Sequence, residues 1–553
     1  MDVYSEIKKL IEGAVKALGL EEGVVNLDHP THLSFGDITT NVALICAKEA
    51  GESPKALAEK IIANLKSHPF VQEVKIAGPG FINFYLSAEF FRQNLVEILK
   101  QKKDYGLSQK LAGKKVIIEY TDPNPFKEFH IGHLMSNTIG EALSRIVESQ
   151  GAETRRACYQ GDVGLHVAKT IWGLMKKGTD SASVKNLGEA YAYGATEYEK
   201  NGVAKKEIVE INKKVYEQSD KNINQLYTTG RQASLDYFET IYQKLGTKFD
   251  DYFFESETGP LGKKLVEKNI GTVFEKSDGA VVYNGEAEGL HTRVFINSQG
   301  LPTYEAKELS LAKLKYDKFK YDQSLVISAN EITAYFKVLL SALGKIYPDL
   351  APKTIHLPHG MLRLPSGKMS SRTGDVISAE DLLNEVKAKV ADKMADKEIP
   401  NQEAVIHDIS VGAIKYSILK QDMKKDIIFD FDTSLSFEGN SGPYLQYVYV
   451  RTQSILAKAN FEETKIGQTE KIYDLERLLY RFPFIVSRAY AEYAPHYICT
   501  YLYLLAGEYN SLYAEEKFIG GDNENLLLGL TKAVGTVLQN GLNLLGINTP
   551  ERM

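Results

Sequence analysis

Two short segments of this chain carry residue types and spacings suited to nucleotide chemistry. The first is Phe129-His130-Ile131-Gly132-His133. Two imidazoles three residues apart at the start of a helical pattern point to one side, where a helix N-terminus already favours anions. Such a pair suits the phosphates of a nucleotide, and Gly132, lacking a side chain, lets a flat purine lie against the backbone. The second is Ser366-Gly367-Lys368-Met369-Ser370-Ser371-Arg372-Thr373-Gly374-Asp375, which sets two cations and several hydroxyls in a loop bracketed by glycines. A loop of this make-up can close over a triphosphate, with Lys368 neutralising the charge that develops as pyrophosphate departs. Taken singly, each has a plainer reading: a histidine capping a helix, and a surface loop whose cations are merely solvated.

The elements around these segments give them a setting. Val116-Ile117-Ile118-Glu119-Tyr120 is a short β-branched run with the look of a buried parallel strand, and it ends at Asp122-Pro123-Asn124-Pro125. A helical pattern from Ile131 to about Ser149, stopped by Gly151, and a second strand pattern from Thr154 to Tyr159 complete a β-α-β unit. This predicts a doubly wound, Rossmann-like parallel sheet. The Lys/Glu-rich stretch at about 176–288 reads as an insertion. Strand patterns at 293–297, 325–328 and 354–356, with a helix at 306–315, read as the second half of the same sheet. Beyond about residue 376 the patterns are helical, including 404–419, 444–459 and 526–545. Upstream, 1–112 reads as a small α/β domain: an amphipathic helix ending at Gly19, a helical stretch at 40–67, and strands at 71–77 and 81–86 about the Gly78-Pro79-Gly80 turn. The predicted organisation is α/β multidomain: 1–112, a catalytic 113–376, a helical connection 377–440, and an all-helical 441–553.

A length of 553 residues predicts roughly three to four domains at about 150 residues each. The net charge is −6, and it divides as −1, −3 and −2 over 1–112, 113–440 and 441–553, so no segment is a polybasic arm. Any contact with nucleic acid then depends on charges sorted onto one face, on aromatics, or on shape. Residues 441–553 hold 12 of the 32 tyrosines, which serve either helix packing or base stacking. Cys46, Cys158 and Cys499 are too scattered for a disulfide framework or a structural zinc site, and the N-terminal pattern suits an amphipathic helix better than a signal peptide. A cytoplasmic protein is expected.

Together, His130-Ile131-Gly132-His133 and Lys368-Met369-Ser370-Ser371-Arg372, in that order across an interrupted doubly wound pattern, resemble the two nucleotide-handling motifs of class I aminoacyl-tRNA synthetases. Glu119-Tyr120-Thr121-Asp122-Pro123-Asn124, Tyr159-Gln160-Gly161-Asp162-Val163-Gly164 and Leu301-Pro302-Thr303-Tyr304 narrow the resemblance to the arginyl-tRNA synthetases. Phe35-Gly36-Asp37 and Gly78-Pro79-Gly80-Phe81-Ile82-Asn83 are similar to that family's N-terminal domain, which contacts the outer corner of tRNA. Gly442-Pro443-Tyr444-Leu445-Gln446-Tyr447 and Pro550-Glu551-Arg552-Met553 are similar to its helical anticodon-binding domain.

The resemblance implies an arginine–tRNA ligase, in which ATP with Mg²⁺ converts L-arginine to arginyl-adenylate and the acyl group passes to the 3′-terminal adenosine of tRNA(Arg). It assigns catalysis to His130, His133, Lys368 and Lys127, and ATP contacts also to Gly132, Met369, Ser370 and Ser371. Arginine contacts fall on Glu119, Asn124, His130, Tyr304, Glu308 and Asn330, and tRNA contacts on Phe35, Asn83, Tyr444, Gln446, Tyr447 and Met553. No tightly bound metal site, no membrane and a monomer are expected. The physics of the substrate agrees, because a guanidinium needs carboxylates and neutral acceptors in a plane. Such a site can reject lysine by about 10⁴ to 10⁵, which makes an editing domain unnecessary. Three positions depart from the family pattern. Ser371 replaces a common second lysine, with Lys127 as the compensating cation; Asn330 stands where some members have Gln; and Val163 stands where an aromatic is common. Rival readings are another class I synthetase, a nucleotidyltransferase sharing the His-x-Gly-His helix start, and a non-catalytic RNA-binding relative. Three scattered cysteines do not offer the zinc site a cysteine enzyme needs, and a nucleotidyltransferase leaves the Tyr-rich helical C-terminus unexplained.

Overall fold

A computed structural model describes residues 3–20, 25–364, 378–462, 466 and 469–553. The chain divides into two compact units. The first comprises residues 1–106, 448–485 and 501–540, and the second 107–447, 486–500 and 541–553.

In the first unit, strands β1 (Leu27–Asp28), β2 (Ile38–Thr40), β3 (Val71–Ala77) and β4 (Phe81–Leu86) form an antiparallel sheet in the order β1-β2-β4-β3. Helices α1 (Val3–Ala17), α2 (Val42–Ala50), α3 (Pro54–Ala63) and α4 (Ala88–Gln101) accompany it. The single helical stretch expected over 40–67 is two helices: Gly51 takes a left-handed conformation, and Ser53 caps a new helix that starts on Pro54. Ile7 and Ile11 of α1, Ile38 of β2 and Phe84 of β4 share one core with Tyr480.

Asp37 ties this unit together. It is fully buried and accepts from the Arg477 guanidinium at 2.7 Å and from the Leu86 N–H at 2.8 Å, while Tyr480 donates to its carbonyl at 2.6 Å. Removing one member of a buried charged pair leaves its partner unsatisfied at a cost of about 3–5 kcal/mol. Asp37→Ala is therefore expected to lower the unfolding free energy by about that much, measured by urea unfolding; a loss below about 1 kcal/mol would refute the clasp.

The second unit is built on a five-stranded parallel sheet in the order β12-β11-β5-β6-β7. Its strands are β5 (Lys115–Glu119), β6 (Glu153–Gln160), β7 (Asp251–Phe254), β11 (Gln323–Ala329) and β12 (Thr354–His359). Val116, Ile117 and Ile118 are buried, as a strand covered on both faces requires. Helix α5 (Ile131–Ser149) makes the right-handed crossover to β6.

Three sequence expectations need correction here. Strand β7 belongs to the central sheet although it lies within the stretch read as an insertion. Its four residues are short, and its buried Asp251 is held by Arg155 and Lys318, each at 2.8 Å, so it lacks a simple apolar signature. Ahead of it lie helices α6 (Leu165–Lys177), α7 (Val184–Lys200), α8 (Gly202–Glu217) and α9 (Lys221–Leu245). Conversely β10 (Arg293–Ile296), read as a central strand, pairs antiparallel with β9 (Ala280–Tyr283) in a separate sheet with β8 (Glu275–Ser277). A four-residue run does not reveal its partner. Helix α10 (Glu255–Lys268) precedes this small sheet, and α11 (Tyr304–Phe319) and α12 (Thr333–Ile346) follow it. Strand structure also persists beyond residue 376, since β14 (Ile427–Ile428) pairs in parallel with β13 (Leu362–Arg363). Helices α13 (Ala379–Lys393), α14 (Gln402–Leu419) and α15 (Phe431–Ser434) lie in this unit. Of the remaining helices, α17 (Asp474–Leu479) belongs to the first unit, and α16 (Gly442–Leu456), α18 (Phe482–Ala491), α19 (His496–Glu515) and α20 (Glu524–Leu544) contribute residues to both.

Candidate active site

Strand β5 ends at the point where its chain must turn out of the sheet and enter α5. The turn is strained: Thr121, Asp122 and Phe126 have φ of 79°, 45° and 68°, in the left-handed region that glycine favours. Such residues cost about 1–3 kcal/mol each and persist only where the surroundings hold them. Here the Thr121 N–H donates to Ser136 Oγ at 2.9 Å, Asn137 donates to Thr121 Oγ1 at 3.0 Å, and the Phe126 N–H donates to Ser234 Oγ at 2.9 Å.

His130 is the N-cap of α5. Its Nδ1 accepts from the N–H groups of Gly132 and His133 at 3.1 and 3.3 Å, and His133 Nδ1 accepts in return from the His130 N–H at 3.2 Å. The two rings stack with centroids 3.5 Å apart. This is a capping box built from imidazoles, and it requires both rings neutral because a protonated Nδ1 cannot accept. Burial, aided by the Lys127 charge, holds His130 down to about 4; burial and the neighbouring His130 and Lys127 charges hold His133 well below its ordinary value. A Cβ on Gly132 would sit 3.0 Å from the His130 ring, so a side chain there would crowd the pair. The histidines open onto a cleft of about 460 Å³ lined further by Thr121, Asp122, Ser136, His359 and Met361.

Behind the cleft is a group of carboxylates. Glu119, at the end of β5, is buried and accepts from the equally buried Lys315 ammonium at 2.5 Å. Lys315, near the end of α11, carries no sequence signal beyond its place in a helical pattern. Asp122 accepts from the Tyr159 N–H at 2.7 Å. Burial, with the Glu119 charge next in weight, pushes both Asp122 and Glu308 well above the usual carboxylate range. Glu119, Asp122 and Glu308 are thus gathered with one cation among them. Tyr304 begins α11 more than half exposed, and the Glu255 charge is the leading influence that pushes its phenol up to about 12. Glu255 itself is buried in a 2.6 Å pair with Lys307, a second ion pair that pattern reading missed.

The remaining assigned residues fall into distinct places. Asn124 is half-buried with its carbonyl oxygen against Gly161, where a Cβ would come within 2.2 Å of it. Lys127 is close enough to depress the His130 imidazole, and its ammonium sits over the Tyr191 ring of α7 at 5.0 Å. Asn330 is exposed in the turn after β11, where its neighbours Ala329 and Glu331 line the cleft. Lys368, Met369, Ser370 and Ser371 lie outside the described residues. The flanks of their segment are described: Leu362 lines the cleft, and Ser378 bridges to His130 while the Ala379 N–H donates to the Phe129 carbonyl at 2.8 Å.

Two of the residues assigned to tRNA are buried. Asn83 accepts from Thr39 at 2.6 Å inside the first unit, and fully buried Gln446 donates to the Asp408 and Asn548 carbonyls at 3.1 and 2.7 Å. The Gln446 amide nitrogen is thereby engaged within the fold, while its Oε1 is buried without a hydrogen-bond partner. Phe35 is about half exposed, and Tyr444, Tyr447 and Met553 are half-buried.

The depressed histidines make a direct prediction. Unfolding restores an ordinary value of about 6.5, so between there and about 4 the unfolded chain binds more protons, and the two rings weaken the fold as pH falls through that window. The His130 and His133 Cε1 proton resonances should stay constant from pH 8 to 5.5; an inflection near 6.5 would refute the neutral pair.

Comparison with known proteins agrees along the whole chain. Residues 94–431 match the family model for the catalytic domain of class I tRNA synthetases (R), residues 5–86 the arginyl-tRNA synthetase N-terminal domain, and residues 445–553 the DALR anticodon-binding domain. The arginine–tRNA ligase of Halothermothrix orenii is 30% identical with both chains fully covered. That of Flavobacterium psychrophilum is 32% identical over 86% of this chain and 85% of its own. Among solved structures, the arginyl-tRNA synthetases of Thermus thermophilus and Plasmodium falciparum share the fold, with TM-scores of 0.82 and 0.80 at 24% and 20% identity and at least 99% coverage of either chain. With sequence motifs, fold and cleft in accord, the chain belongs to the arginyl-tRNA synthetase family of class I aminoacyl-tRNA synthetases.

Proposed function

We infer that the cleft headed by His130 and His133 is where this chain, an arginine–tRNA ligase, activates L-arginine. The observation that carries the assignment is the pairing of a neutral, anion-favouring helix start with a buried group of carboxylates short of cations. The first end suits the phosphates of the ATP substrate, which arrives with its Mg²⁺, and the second suits a guanidinium.

In this reading an arginine carboxylate oxygen attacks the α-phosphorus of ATP, and the bond from that phosphorus to the pyrophosphate oxygen breaks. A hydroxyl of the terminal adenosine of tRNA then attacks the acyl carbon and AMP leaves. Neither step needs a protein nucleophile, so the chain contributes position and charge. His130, Gly132 and His133 hold the nucleotide. Lys127 and Lys368 neutralise developing negative charge, and Met369, Ser370 and Ser371 complete the nucleotide contacts. Glu119, Glu308 and Tyr304 receive the arginine side chain, with Asn124, Asn330 and His130 toward its amino-acid end. Of the six candidate tRNA contacts, Phe35, Tyr444, Tyr447 and Met553 are the accessible ones, with 1–112 taken as the tRNA-corner module and 441–553 as the anticodon module. The three cysteines are buried and unpaired, which fits a reducing cytoplasm. No helix of the described residues is long and apolar enough to cross a membrane. A monomer is proposed, to be checked by light scattering.

Charging of unfractionated tRNA with each radiolabelled amino acid tests the function: arginine alone should be attached, and attachment of another amino acid would overturn the assignment. Glu119→Gln should raise the arginine KM by about 10- to 100-fold, the worth of one charge-assisted bond, with the ATP KM within twofold. Equal losses for both substrates would remove Glu119 from the arginine site. Because Asp122 and Glu308 hold protons more tightly than ordinary carboxylates, entry of a guanidinium should expel protons. Calorimetry in buffers of different ionisation enthalpy should show proton release on arginine binding; no release would place the guanidinium elsewhere.

A further inference from the structure

Glu141 lies on α5, outside the lining of the cleft, and no step of the proposed reaction uses it. Its buried carboxylate is nevertheless met by three donors. The Tyr120 hydroxyl donates to Oε2 at 2.8 Å, Arg156 Nε donates to Oε2 at 3.0 Å, and Arg145 Nε donates to Oε1 at 2.7 Å. Gly140 makes the first contact possible, since a Cβ there would lie 2.1 Å from the Tyr120 ring. Tyr120 is the residue immediately before the strained Thr121-Asp122 pair, so its anchor fixes one end of the turn that delivers Asp122 and His130 to the cleft.

The cations around Glu141 are held in turn by the C-terminal segment. Arg145 Nη1 donates to the Asn543 side chain at 2.5 Å and to its carbonyl at 3.1 Å. The buried Lys415 ammonium, beside Glu141, donates to the carbonyls of Gly546 and of Leu245 at the end of α9, both at 2.7 Å. A Cβ on Gly546 would sit 3.1 Å from that ammonium and 3.5 Å from Glu141 Cγ, so the segment packs directly on the cluster. Elements distant in sequence, 543–546, α14 and α5, therefore converge on one carboxylate whose one uncharged side-chain donor among the described residues is the tyrosine at the head of the active-site turn.

We propose that Glu141 is a positioning residue for arginine activation, acting through Tyr120 on the 121–126 turn, and that the C-terminal segment serves the same purpose by holding Arg145 and Lys415 in place. This rests on the reading of the cleft as the activation site. A strained turn held at both ends has few alternative conformations, and misplacement of reacting groups by about 1 Å can cost about 10²-fold in rate. The contribution of Glu141 is geometric, so it belongs to kcat rather than to ATP affinity.

The test uses the full chain with tRNA present and reads arginine-dependent ATP–pyrophosphate exchange beside the melting temperature. Tyr120→Phe removes one oxygen and Glu141→Gln one charge. Each is expected to lower kcat about tenfold with the ATP KM within twofold, at temperatures where the variant is fully folded. The double variant should be no slower than the slower single one, because both changes act through one bond. Arg145→Lys, which keeps the charge but cannot bridge Glu141 and Asn543 together, should fall between wild type and Glu141→Gln. If Glu141→Gln does not fold, Tyr120→Phe decides alone. A lowered melting temperature with kcat within twofold of wild type, or simple multiplication of the two losses, would overturn the proposal. Absence of arginine activation in the wild-type chain would instead overturn the reading of the cleft.

Discussion

A carboxylate taken out of water costs several kcal/mol unless a cation and hydrogen-bond donors meet it, and the second unit of this chain depends on meeting that condition repeatedly. Glu119 is met by Lys315, Glu255 by Lys307, Asp162 by Arg231, Asp251 by Arg155 and Lys318, and Glu141 by Arg145 and Arg156. All but the Glu141–Arg145 pair, which lies within α5, join different elements, so they fix how strands and helices are placed more strictly than apolar contact, which tolerates sliding. Asp162 shows the principle: fully buried after β6, it accepts from Arg231 of α9 and from the backbone and hydroxyl of Ser256 on α10. One carboxylate thereby holds the helices before and after β7 to the sheet.

Where the condition is met only in part, the molecule acquires chemistry. Asp122 and Glu308 sit near Glu119 with one ammonium among the three, and both retain protons more tightly than ordinary carboxylates. An incoming guanidinium supplies the missing charge and two parallel donors. The opposite end of the cleft is arranged by the complementary rule. Two imidazoles are kept neutral by burial and accept the helix-start N–H groups through Nδ1, so each ring carries its proton on Nε2 as a donor for an anionic oxygen.

Much of this was legible in the chain. The β-branched run at 116–118, the helix from Ile131 to Ser149 and the strands 71–77 and 81–86 form as their patterns predict, because each buries one consistent face or lies covered on both. The histidine pair and Glu119 stood out as candidates because they fall in paired motifs that carry the family resemblance, although each taken singly has a plainer reading. Lys315, Lys307, Glu255 and Glu141 did not. A lysine in a helical pattern reads the same whether it faces water or a buried carboxylate, and the two partners of these pairs lie 196 residues apart for Lys315 and Glu119 and 52 for Lys307 and Glu255. Gln446 and Asn83 show that polar side chains in motif-like runs can lie buried, bonded to backbone carbonyls and neighbouring hydroxyls within the fold, which their residue type alone does not reveal.

The amino-acid sequence by itself determined the family, the parallel sheet and the kinds of group at the cleft, because motif spacing and hydrophobic period are local properties of the chain. Only the tertiary structure decided the sheet order, which recruits β7 from the supposed insertion and leaves out β10, and which charges are buried against which. Strand pairing and ion pairing are choices among distant partners of similar local character, settled by the burial and desolvation energies of the whole unit. The Thr121-Asp122 turn shows the division most clearly. Its residues announce a turn, but the left-handed strain that aims Asp122 and His130 at the cleft exists only because Ser136, Asn137, Ser234 and the Tyr120–Glu141 bond hold it there.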